Sequence, residues 1–221
     1  ASIAHERNQP LGAIRSNAEA AEMFLNAEPP ARDEVRDILA DIRKDDQRAS
    51  EVIRRMRSLL RKQEMAPKSI KINEAVEEVL NMLSSDAASR KVAIKFERTA
   101  DLPHVWCDSV HLQQVVLNLV LNGMEAMAEL PEEKRQVVVR TARGNNGTVK
   151  VAVADSGPGI PVNRLPKVFE PFFTTKKGGM GMGLSIARTI VEAHHGQIWA
   201  ENNSGNGATF YFTVPVDGGK G

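Results

Sequence analysis

The sequence predicts an α+β protein in which a helical hairpin precedes an α/β sandwich with a mixed sheet. Two observations carry this prediction. Residues 1 to 62 repeat apolar positions at spacings of three and four, whereas the remainder alternates short β-branched runs with further helical stretches.

Taken in order, Arg7, Leu11, Ile14, Ala18, Ala21 and Leu25 form one stripe of a first helix, as in a helix packed into a bundle seam. His5 lies two residues off that stripe, about 200° around the helix, and is expected to face solvent. Arg7 stands on the stripe itself. It should snorkel, pair with a carboxylate or loosen the packing, since an unpaired buried guanidinium is costly. "NAEPPARDE" breaks the helix at Pro29 and Pro30, and the stripe resumes from Val35 through Ile38, Leu39, Ile42, Ala49, Val52, Ile53, Met56, Leu59 and Leu60. Two helices leave much of their stripes uncovered, so a homodimer that completes a four-helix bundle is expected.

The stretch at 62–69 reads as a linker, and the chain divides into a histidine-bearing dimerisation domain, 1–65, and a second domain, 66–221. Strands are predicted at "SIKIN", "VAIKFER", "QVVVRTA", "GTVKVAVAD", "GQIWAEN" and "ATFYFTVP". Helices are predicted near 73–89, 108–129 and 183–195. "RGNNGT" supplies a hairpin turn.

Composition narrows the function. Lys plus Arg number 29 against 28 Asp plus Glu, a net charge of +1, so no polyanion-binding field is present and nucleic acid is not an expected partner. One cysteine, Cys107, rules out an internal disulfide and suits a reducing compartment. No run approaches the roughly 20 apolar residues of a membrane helix. The chain opens in mid-pattern without an initiator Met. We therefore expect a cytoplasmic fragment that makes no membrane contact of its own, with membrane attachment of the full-length protein through upstream segments left open.

Three stretches carry candidate chemistry. In "QQVVLNLVLNGMEAM", Asn118 and Asn122 lie four apart on one helix face. Their amide oxygens suit hydrated Mg²⁺, although solvated or capping amides fit the spacing equally. "VAVADSGPGIP" ends a strand in Asp155, followed by Gly157 and Gly159, which permit a sharp turn and close approach to a ligand. A carboxylate there can accept from an exocyclic amine, and a simple turn corner fits as well. In "FFTTKKGGMGMGLSIA", Gly178, Gly179, Gly181 and Gly183 precede a helix, where backbone N–H groups can converge on phosphate. The spacing matches neither a P-loop nor a dinucleotide fingerprint.

In this order, "NLVLNGMEAM", "DSGPGI", "FEPFFTTK" and "GMGMGLSIA" resemble the N, G1, F and G2 boxes of the Bergerat-type (GHKL) ATP-binding domain. That domain is shared by sensor histidine kinases, gyrase-type topoisomerases, mismatch-repair ATPases and a class of heat-shock chaperones. Upstream, "AHERNQPLGAI" resembles the H box of the sensor histidine kinases whose motif reads His-Glu-x-Asn-Gln-Pro-Leu. The resemblance implies that His5 is the phosphoacceptor attacking the γ-phosphate of ATP, with Glu6 bonded to the other ring nitrogen. It also implies Mg²⁺ at Asn122 assisted by Asn118, adenine at Asp155, a turn beneath the base at Gly157 and Gly159, and lid contacts at Gly179, Gly181 and Gly183. Phe169, Phe172 and Phe173 would anchor the lid, and Lys176 is placed to reach a phosphate.

The implied function is autophosphorylation of a homodimer followed by phosphotransfer to an aspartate of a response-regulator receiver domain in two-component signalling. Some relatives also dephosphorylate that regulator; Gln9, four residues after His5 and on its face, is placed to orient a water for this, where other subgroups commonly carry Thr or Asn. The alternatives are a GHKL ATPase that drives conformational change and a degenerate dimeric scaffold. Against the ATPase, position 118 carries an amide where hydrolysing branches place a glutamate, and an amide cannot serve as the base for water. His194 and His195 are expected at a helix C-terminus in a setting that favours imidazolium. No zinc site is expected.

Overall fold

The computed structural model describes residues 3–27, 31–43, 67–174 and 181–217, with side chains in the first segment from residue 12 onward. The chain separates into two compact units, Ala1–Gln63 and Glu64–Gly221.

In the first unit, α1 (Ile3–Leu25) is followed by a second helix, α2, described over 32–43. Between them the Ala31 N–H donates to the Phe24 carbonyl at 3.1 Å and closes the turn. Ala21 and Val35 are buried and Ile14, Ile38 and Ile42 half-buried, but Ala18, Leu25 and Leu39 of the expected stripes are exposed. A single hairpin shields only the inward half of each apolar stripe.

The second unit contains β1 (Lys68–Ile70), α3 (Ile72–Ser89), β2 (Ala93–Glu97), β3 (Val105–Cys107) and α4 (Ser109–Ala126). After these come β4 (Gln136–Arg143), β5 (Thr148–Asp155), α5 (Gly183–Ala193), β6 (Ile198–Asn202) and β7 (Ala208–Pro215). The main sheet runs β2-β4-β5-β7-β6, with β2 parallel to β4 and every other pairing antiparallel. The parallel pair is possible because the connection from β2 to β4 is long enough to carry β3 and α4.

Helices α3, α4 and α5 pack on one face of this sheet. Alternation selects that face: Val137, Val139 and Thr141 of β4, Val149, Val151 and Val153 of β5, and Phe210, Phe212 and Val214 of β7 all point inward. They meet Val76 and Val79 of α3 and Val116, Leu119, Val120 and Met124 of α4. Each such fully buried side chain contributes about 1.5–3 kcal/mol. On β2 and β4, Lys95 and Arg140 both bond the Glu97 carboxyl and hold it below the usual carboxylate range.

Three sequence expectations are corrected. The linker ends before Lys68, because Lys68 and Ser69 pair with Cys107 and Trp106. β3, three residues long, carries too little periodicity to stand out in the sequence. The helix expected over 108–129 ends at Ala126, where the Met127 N–H turns back to the Met124 carbonyl.

Candidate functional site

The register of β5 places the first site residue. Asp155 follows Val149, Val151 and Val153 on the inward face and is therefore carried beneath α4, where it is only 7% exposed. A carboxylate so buried needs hydrogen bonds. Its Oδ1 accepts from the Gly157 N–H at 2.8 Å and from the Ala208 N–H at 3.3 Å.

The α4 backbone lies against this group, since a Cβ on Gly123 would come within 3.3 Å of the Asp155 Cβ. The next residue back, Asn122, is thereby delivered to the same end of the sheet. Gly157 is similarly confined: a Cβ there would stand 2.8 Å from Asp155 Oδ1 and 3.3 Å from Ala126. At Gly159, φ is +79°, a conformation that glycine adopts without strain.

Asn118, one turn before Asn122, donates from Nδ2 to the Gly183 carbonyl at 3.1 Å and so ties α4 to the first turn of α5. Its Oδ1 accepts from Gln114 at 3.4 Å. The three phenylalanines separate. Phe169 is buried edge-on against Phe210 at 6.1 Å, and Phe173 packs on the core. Phe172 is 62% exposed with φ of +65°, so it does not join that anchor here. Gly181, with φ of +63°, lies against the Phe173 carbonyl, which a Cβ would approach to 2.5 Å. The two stems of the glycine-rich stretch therefore meet at this point.

The structure thus brings together Asn118, Asn122, Asp155, Gly157, Gly159 and Gly183. Lys176, Gly178 and Gly179 lie outside the described residues. His5, Glu6, Arg7 and Gln9 fall on α1, but their side chains are outside the described residues. Among the described residues no cluster of His, Cys, Asp and Glu is arranged to hold a metal ion.

The sequence reading missed the β6–β7 turn. Asn202 and Asn203 reach from it to the segment after β5, and Gly207 packs so closely on the Asp155 carbonyl that no side chain would fit. "NNSGNG" reads as a plain turn, and nothing in its spacing indicates which loop it touches.

His194 lies at the C-terminus of α5, as expected. The Asp108 N–H donates to Nε2 at 3.1 Å, so that nitrogen carries no proton, and Nδ1–H donates to the Ile190 carbonyl at 2.8 Å. The ring thereby ties the end of α5 to the start of α4.

Residues 107–218 match the family model described as histidine kinase-, DNA gyrase B-, and HSP90-like ATPase, and residues 1–64 match that of the His Kinase A phospho-acceptor domain. The solved catalytic domain of the histidine kinase ThkA is 35% identical, with a TM-score of 0.62 over 69% of this chain and 97% of that one. The chain belongs to the two-component histidine kinase family. The sensor histidine kinase TmoS of Ectopseudomonas mendocina is 40% identical over 215 residues, 97% of this chain and 22% of TmoS. ThkA solved with the response regulator protein TrrA is 27% identical, with a TM-score of 0.71 over 99% of this chain and 61% of that one. The chain spans less than half the length of the curated relatives TmoS, FixL and ZraS that it matches. In this histidine kinase fold, residues 107–218 are the ATP-binding part. No described helix is long and apolar enough to cross a membrane.

Proposed function

We propose that the chain is the core of a sensor histidine kinase that transfers the γ-phosphoryl group of ATP to His5 and then to an aspartate of a response-regulator receiver domain. The observation that carries this reading is Asp155, a buried carboxylate fixed by two backbone donors at the mouth of the α4–β5 layer, within a domain of the ATP-binding family. Asp155 accepts from the adenine amine, and Gly157 and Gly159 keep the floor beneath the base free of side chains. Gly179, Gly181 and Gly183, with Lys176, line the phosphate side.

The amide oxygen of Asn122, aided by Asn118, is a hard donor that suits Mg²⁺ in a site otherwise filled by phosphate oxygens. Bound there, Mg²⁺ would neutralise phosphate charge. Residue 118 itself is an amide already bonded to Gly183 and Gln114, so it presents no base for water. That favours a nucleophile other than water. Glu6 fixes the tautomer of His5 and leaves the attacking nitrogen unprotonated. The protein works as a homodimer whose second copy covers the exposed residues Ala18, Leu25 and Leu39. The domain boundary falls between residues 65 and 66, and the fragment acts in the cytoplasm.

Incubation with γ-labelled ATP and Mg²⁺ tests the reading. Acid-labile, alkali-stable label is expected on the chain, absent in His5→Ala, and transferable to a receiver domain. Steady phosphate release with no labelled protein, also in a chain extended upstream of Ala1, would refute it.

A further inference from the structure

We infer that Asn202 is a positioning residue for base recognition: from the last position of β6 it clamps the far end of the loop that begins at Asp155. The inference rests on the reading of Asp155 as the adenine partner. Asn202 Oδ1 accepts from the Ile160 N–H at 2.8 Å, and its Nδ2 donates to the Ile160 carbonyl at 2.7 Å. One side-chain amide thus satisfies both backbone groups of a single residue, as a neighbouring strand would.

The near end of the loop is held by the adjacent residue. Asn203 Nδ2 donates to the Asp155 carbonyl at 3.1 Å, and its Oδ1 is oriented by the Thr209 hydroxyl at 2.6 Å. Two consecutive asparagines therefore grip both ends of the segment Asp155 to Ile160. Within it, Pro158 has no N–H to contribute. Contact between loop and turn is close, because a Cβ on Gly159 would come within 3.0 Å of Asn202 Oδ1.

Asn202 is itself exposed, so its part in this arrangement comes from its two hydrogen bonds and not from apolar burial. Only an amide of this length supplies both. Aspartate keeps the acceptor and loses the donor, and alanine loses both. A loop released at Ile160 would let Gly157 drift, and Gly157 is one of the two donors that aim the Asp155 carboxylate. The expected consequence is poorer recognition of the base and not a general loss of phosphate binding.

The test is equilibrium titration of the full chain with ATP and with inosine triphosphate, whose base carries an oxo group in place of the amine. Asn202→Ala is expected to weaken ATP by about tenfold and to narrow the preference for ATP over inosine triphosphate, with Asn202→Asp in between. Unchanged ATP affinity in Asn202→Ala would overturn the inference. So would an equal loss for both nucleotides accompanied by a lower Tm, the mark of a merely structural role. Asp155→Asn separates the two levels: if it too leaves ATP affinity unchanged, the adenine reading fails, and the clamp with it.

Discussion

Asp155 and Cys107 are both buried, and their surroundings give them opposite uses. The carboxylate is met by the Gly157 and Ala208 N–H groups, which fix its orientation, as the proposed role in base recognition requires. The thiol is 1% exposed, and desolvation, helped by the Asp108 charge beside it, pushes it up from its ordinary value of 9.0 to about 12. Between those values an unfolded chain releases the thiol proton while the folded chain keeps it. The unfolded state then binds fewer protons, so stability falls as pH rises. Between pH 8 and pH 10 this thiol should therefore cost about 1 kcal/mol. Urea unfolding should show that loss in the native chain and not in Cys107→Ala, and identical slopes in the two proteins would contradict it.

At the scale of elements, α4 links core to site. Its inward residues Val116, Leu119, Val120 and Met124 seat it on the sheet, while Asn118 and Asn122 ride on its flank. Its start is set by Asp108, whose Oδ1 accepts from the Val110 and His111 N–H groups at 2.9 and 3.1 Å. Asp108→Ala should lose about 0.5–2 kcal/mol, in line with other helix caps. Both tryptophans, Trp106 and Trp199, belong to the second unit, so their fluorescence during urea unfolding reports that unit. An unchanged midpoint would show that the cap is dispensable. The central strands β4, β5 and β7 were plain in the sequence because each runs for eight residues rich in β-branched and aromatic side chains. β3 was not, because a three-residue strand is specified by its partners, here β1 and a bridge from Val105 to Val216.

For the whole molecule, the second unit has its own core and sheet. We expect residues 66–221 alone to bind ATP with the affinity of the full chain, by titration calorimetry, and to incorporate no label. Loss of binding in a folded 66–221 would mean that the nucleotide site depends on the helical unit. The first unit behaves differently, since a hairpin of two helices leaves Met23, Phe24, Leu25 and Leu39 exposed. Such a surface suits the proposed homodimer.

What the sequence determined by itself was everything governed by period and local chemistry: the helical hairpin, six of the seven described strands, and the order of the motifs that carry Asn118, Asn122, Asp155, Gly157 and Gly159. Periodicity reports which face of an element is buried, and motif order reports the family. Tertiary structure alone decided what crosses between distant segments. It set the bond from the Asp108 N–H to His194, the bond from Asn118 to Gly183, the exposure of Phe172 beside buried Phe169, and the hold of Asn202 and Asn203 on the Asp155 loop. Phe172 apart, these are hydrogen bonds between residues far apart in the chain, and spacing along a single segment contains no record of them.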